Sequence, residues 1–200
     1  GNNGPLIEYA ALKEYAENFK PPVVLWMFHP NDLMNLNIEL TSKLLKKYLN
    51  NDDFSQKLIL RQNNIDQSLV DYVEKETKKY GTLVKKKEEK SKFTDILLLR
   101  KLRKYFKLQP SVEPKIFYKI LSKANNVVTN WEGQLYFVPI PSDHRYSKNI
   151  EYDRLEEIME TVTKMNIPII DLHKEVFENH TNPLSLFPIF GGHILSLIHI

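Results

Sequence analysis

Four groups of side chains have the types and settings that proton transfer or hydrogen-bond donation needs. The first is Asn31, in the polar run His29-Pro30-Asn31-Asp32 directly after six apolar residues, Val23 to Phe28. Its amide can donate an N–H at a fixed point, or serve as a turn residue capping the next helix. Asp32 beside it suits bracing the loop. The second is Asp143 with His144, in Pro141-Ser142-Asp143-His144, where the imidazole could exchange protons near neutral pH and line a substrate site. The third is His193, beside Gly191 and Gly192, and the fourth is the turn at Gly1 and Gly4 that opens the chain. His29, His173 and His180 lack metal-like spacing with a carboxylate partner, so no metal site is expected. Ser142 has no glycine elbow around it and is not read as a nucleophile.

These residues need elements to position them. Pro5 suits a first helical turn, and Leu6, Tyr9, Ala10, Leu12, Lys13 and Ala16 predict a helix ending before Pro21-Pro22. The apolar run Val23 to Phe28 predicts a strand buried on both faces of a parallel sheet. Helices are expected from Ser42 to Leu49, Ile65 to Lys79 and Phe93 to Phe106, with a lysine-rich run, Lys85 to Lys92, between the last two. The stretch Phe54 to Leu108 interrupts the alternation and reads as a helical insertion or lid. A helix near Lys115 to Lys123, a strand Leu135 to Ile140, a helix Tyr152 to Met165 and a buried strand Ile167 to Leu172 follow. Leu155, Ile158, Met159 and Val162 share one face of that last helix. Strand and helix in alternation predict a doubly wound α/β fold, in which ligands bind at the carboxyl ends of the strands. The loops of Asn31, of Asp143 with His144, and of His193 all follow such ends and are expected to gather on one edge.

Composition bounds the partners. The 200 residues are 42% hydrophobic and 26% charged, enough for a buried core. The net charge of +3 demands no nucleic-acid partner, and the lysine run reads as a solvated face. With no cysteine there is neither a disulfide framework nor a thiolate zinc site. The last six residues, Leu195 to Ile200, match one reading frame of a transposase sequencing adapter. The natural sequence is therefore expected to stop at about His193 or Ile194, leaving residues 1–194 as one incomplete domain.

Taken in order, these blocks resemble the SGNH hydrolase superfamily, the GDSL-like esterases and acyltransferases. Gly1-Asn2-Asn3-Gly4-Pro5-Leu6 is similar to the family's glycine block, Val24-Leu25-Trp26 through Asn31-Asp32-Leu33 to its asparagine block, and Gly192-His193 to the block that carries the base. The resemblance implies a three-layer α/β/α flavodoxin-like sandwich with a mostly parallel sheet. It implies a serine esterase or O-acyltransferase acting on an ester, an acetylated carbohydrate among the candidates, with no cofactor. His193 would be the base, Asn31 one oxyanion-hole donor, and Gly4 or Gly1 the other, with Asp143 and His144 lining the substrate.

The departures from the pattern are specific. No Gly-Asp-Ser block is present, so the serine is expected upstream of Gly1. His29 and Pro30 stand where the family has its third-block glycine, and Phe190 stands where an aspartate often precedes the histidine. Asp171 and Asp143 are the alternative carboxylates for orienting His193. A missing upstream segment could also tether the protein to a membrane. The compartment stays open, a bacterial cell envelope being one reading. The rival reading is a non-catalytic binding or assembly module on the same fold.

Overall fold

A computed structural model describes residues 3–84, 114–148 and 154–187. Gly1, the helix expected over Phe93 to Phe106, the lysine run, Phe190 and Gly191-Gly192-His193 lie outside the described residues. The chain divides into two units, Gly1–Phe54 with Ser111–Ile200, and Ser55–Pro110.

In the first unit, helix α1 (Pro5–Ala11) starts at a proline, whose missing N–H costs nothing in a first turn. It runs on through a π-helical turn, Leu12–Ala16, and a last stretch, Glu17–Phe19. Lys20 stops it in the left-handed region at φ 48°, before two prolines that cannot continue a helix. Strand β1 (Val23–Phe28) follows, then α2 (Asp32–Glu39) and α3 (Leu45–Asn50). Helix α5 (Pro114–Asn130) returns the chain to β2 (Gln134–Pro139), which pairs parallel to β1 from Val23–Gln134 to Phe28–Pro139. Helices α6 (Asp143–Lys148) and α7 (Leu155–Lys164) come next. A π-helical turn, His173–Phe177, and a 3-10 turn, Pro183–Leu186, close the described chain. The second unit contributes a 3-10 turn, Leu58–Arg61, and the long helix α4 (Gln62–Val84).

The fold is therefore mixed α/β and mostly helical, with two parallel strands among the described residues. Two sequence expectations are corrected. The strand expected over Ile167 to Leu172 is a single parallel bridge, Phe137 to Ile169. Pro168 has no N–H to extend that ladder; only its carbonyl is used, by Phe137 N, while Ile170 N donates to Phe137 O. And β1 is not buried on both faces. Trp26 and Phe28 are buried, while Val23 and Leu25 are each 52% exposed.

The reason is that helices cover one face. Leu6, Tyr9 and Leu12 of α1, Phe117, Ile120, Leu121 and Ala124 of α5, and Ile158 and Val162 of α7 form one core with Trp26, Phe28, Leu135 and Phe137. Within it the rings of Phe28, Phe117 and Phe137 sit 5.3–6.3 Å apart, in tilted pairs of the kind aromatic quadrupoles prefer. Among the described residues the other face is covered at its carboxyl end alone, where Met27 packs against Ile140, Phe177 and Phe187.

Two short helices were not anticipated. Helix α2 begins at Asp32 inside the expected polar loop, and α6 begins at Asp143. Neither has a strong apolar period to announce it.

Candidate functional site

Asn31 stands at the carboxyl end of β1 and immediately before α2. Its side chain makes no capping bond to that helix. Instead its Oδ1 lies 2.6 Å from His29 Nδ1, against 3.3 Å from His29 Nδ1 to Asn31 N. With its proton on Nδ1 the ring donates to Oδ1; with a bare Nδ1 it accepts the Asn31 N–H instead. An amide gripped by its oxygen keeps its Nδ2 hydrogens for another acceptor. His29 N in turn donates to Asp32 Oδ2 at 2.6 Å, so Asp32 braces the loop.

Helix periodicity then carries this loop to the start of the chain. Asn31, Asn35 and Glu39 recur every four residues and share one face of α2. Asn35 Nδ2 donates to Asn3 O at 3.1 Å, and the Glu39 carboxylate accepts Gly4 N at 2.6 Å and Leu6 N at 2.9 Å. Glu39 thereby satisfies N–H groups that the first turn of α1 would otherwise leave orphaned. Gly4 is a glycine for want of room: a Cβ would come within 2.8 Å of Asn35 Cβ and 2.9 Å of Glu39 Oε1. Its amide is committed to Glu39, about two helical turns, roughly 12 Å along the axis, from Asn31. Asn3, just before Gly4, meets α2 one turn nearer its Asn31 end, at Asn35. Gly1 lies outside the described residues.

Three carboxyl groups crowd this corner. Burial pushes Glu8 of α1 up to about 8, helped by the charges of Asp32 and Glu39. Burial also pushes Asp32 up to about 7, against the lowering effect of the His29 amide. Glu39 is raised by burial too, while the amides of Leu6, Gly4 and Ile7 hold it down. The Glu8 Oε2 atom is buried, with no hydrogen-bond partner among the described residues. Sequence reading missed Glu8. The available signal was its place among apolar neighbours: Glu8 is half-buried on a helix whose buried positions are Pro5, Leu6, Tyr9 and Ala10.

Glu8 also lines an apolar groove of about 360 Å³ between α1 and the free edge of β1, with Leu12, Tyr15, Val24, Leu25 and Trp26 among its walls. Trp26 Nε1, buried in the same strand, has no hydrogen-bond partner among the described residues. Among the described residues β1 is paired on one side alone.

Asp143 and His144 lie at the carboxyl end of β2. Asp143 is buried, at 8% exposure, and its Oδ1 is 3.8 Å from the Nδ1 of the exposed His144. The cavity at this edge is lined by the next residue, Arg145, with Asp171 and His173. His193 and its neighbours fall outside the described residues. The structure thus ties the Asn31 loop and the Gly4 turn to one helix and sets Asp143 after the adjacent strand. No group of metal-binding side chains occurs among the described residues, and no helix there is long and apolar enough to cross a membrane.

The chain matches no family model, and comparison with curated proteins and with solved structures finds no match.

Proposed function

We propose that this chain is part of a serine esterase or O-acyltransferase of the SGNH type, acting on an ester such as an acetylated carbohydrate. Its two parallel strands and the Ile169 bridge would belong to a three-layer flavodoxin-like sandwich. The observation that carries this reading is Asn31, whose Oδ1 lies 2.6 Å from His29 Nδ1 and whose Nδ2 makes no hydrogen bond among the described residues, at the carboxyl end of a parallel strand. That is the arrangement an oxyanion donor needs: fixed before the charge develops, at the edge where α/β sheets bind ligands.

In this mechanism a serine hydroxyl attacks the ester carbonyl while His193 takes its proton. The Asn31 amide donates to the tetrahedral oxyanion. His193 then returns the proton to the leaving alcohol, and water or an acceptor hydroxyl releases the acyl-serine. The second donor is the Gly1 amide, since that of Gly4 is held by Glu39. The reading requires the serine to come from a strand outside this sequence. The open edge of β1, its groove and the unpartnered Trp26 Nε1 support a strand seated there.

The test is turnover of p-nitrophenyl acetate by this chain joined to its natural upstream sequence. Asn31→Ala is expected to lower kcat by about a hundred- to a thousandfold, with KM little changed. An unchanged kcat would remove Asn31 from the mechanism. The engaged Gly4 amide favours a second reading, a binding or assembly module; a residue other than serine in the upstream block would put that reading ahead.

A further inference from the structure

The cavity at the carboxyl edge of β2 is separate from the Asn31 corner and has its own chemistry. Its volume is about 160 Å³, below the 300–1,000 Å³ of most ligand pockets, so it suits one small unit rather than a long chain. Arg145 comes from α6, directly after β2; Asp171 and His173 follow the Ile169 bridge; Leu155, Glu156 and Met159 come from α7. These are the carboxyl ends of adjacent parallel segments, where sheets of this kind place ligands.

The parts of this wall are fixed. Asp171 Oδ1 accepts His173 N at 3.0 Å and Lys174 N at 3.4 Å. The Tyr146 hydroxyl lies 3.0 Å from His173 Nδ1, and its ring stacks on Phe177 at 5.1 Å. Burial pushes the Tyr146 phenol up to about 12, so near neutral pH it keeps its proton, and whether it donates to Nδ1 or accepts from it follows the imidazole tautomer.

The lining mixes two cations (Arg145, Lys174), two carboxylates (Asp171, Glu156) and the His173 imidazole with two apolar side chains, and Lys174 Nζ stands 3.9 Å from Asp171 Oδ2. Two cations and two carboxylates cancel, so the lining favours neither an anion nor a cation, and an acyl chain would strand the polar groups. A sugar matches, because each hydroxyl both donates and accepts while the ring's C–H face is apolar. We infer that this cavity is a subsite for one neutral monosaccharide unit, its hydroxyls bonded to Arg145, His173, Asp171 and Glu156 and its C–H face lying on Leu155 and Met159. As the seat of a carbohydrate acceptor or donor it rests on the acyl-transfer reading, and it narrows the substrate class.

The experiment is saturation-transfer NMR on the full chain with the methyl glycosides of glucose, galactose and N-acetylglucosamine, and with a parallel titration of inorganic phosphate. Transfer to at least one glycoside is expected, with affinity reduced tenfold or more in Arg145→Gln and in Glu156→Gln. Glu156 is exposed on α7, so its variant keeps the wild-type melting temperature. No transfer to any of the three, transfer unaltered in both variants, or phosphate binding in their place overturns the inference. Turnover of p-nitrophenyl acetate without glycoside binding removes the subsite and leaves the esterase. Glycoside binding in a protein whose upstream block lacks serine does the reverse.

Discussion

The two sides of β1 face different surroundings. On one, Trp26 and Phe28 enter a core shared with α1, α5 and α7 in which Phe117, Ile120, Leu121, Phe137 and Ile158 are fully buried. On the other, Val23 and Leu25 stand half out, and the strand's free edge opens into the groove under α1. Six consecutive apolar residues make the two sides equal in sequence. What separates them is whether something packs there, and burial on both faces is what such a strand is built for. The packed side holds this unit together; the open side shows what the proposed function still requires.

The largest effect should come from the packed side. Phe137→Ala is expected to cost about 3–5 kcal/mol in urea unfolding, since it empties a site ringed by Phe28 and Phe117. A loss below about 1 kcal/mol would mean that the helix face is not the core.

Glu8, at the boundary between the two sides, sharpens the contrast through pH. Its pKa in the folded chain is about 8 against an ordinary value of 4.5, so the folded state binds the proton more tightly than the unfolded state. Its contribution to stability is complete below about pH 4.5 and is lost as pH rises through 8, by up to about 1.4 kcal/mol per unit. Glu8→Gln should flatten the fall in melting temperature between pH 5 and 8.5 and raise it at the alkaline end. A steeper fall in the variant would contradict a buried, protonated Glu8.

Gly4→Ala should cost about 1–3 kcal/mol, because the new methyl overlaps Asn35 and displaces the Glu39 carboxylate. Chemical denaturation of the variant checks it. The smallest effect belongs to the open side. Leu25→Thr should change stability by less than about 0.5 kcal/mol, and a cost above 2 kcal/mol would show that its face is already covered.

Much of the layout was legible in residue types. The apolar runs at Val23 and Leu135 are strands, the helix after Pro5 stops before the prolines, and Asp32 braces its loop. The missing ladder at Ile167 to Leu172 was less so, although Pro168 marked it. Helix α2 was not delimited because its buried face mixes Leu33 and Leu36 with Asp32, Asn35 and Glu39, and the polar three are recognised as buried only once α1 is seen to lie on them. The grip of His29 on Asn31 and of Glu39 on Gly4 depends on side-chain direction, which spacing does not disclose. Arg145, Asp171 and His173 come together only through a pairing between segments about 30 residues apart, so their cavity had no local signature.

The central claim is that the chemistry needs a serine from a strand this sequence lacks. The most direct measurement is p-nitrophenyl acetate hydrolysis by the chain alone, beside the chain carrying its upstream sequence, each with and without His193→Ala. The account predicts no turnover by the chain alone, and turnover by the longer protein that His193→Ala abolishes. Hydrolysis by the chain alone, lost in His193→Ala, would contradict it.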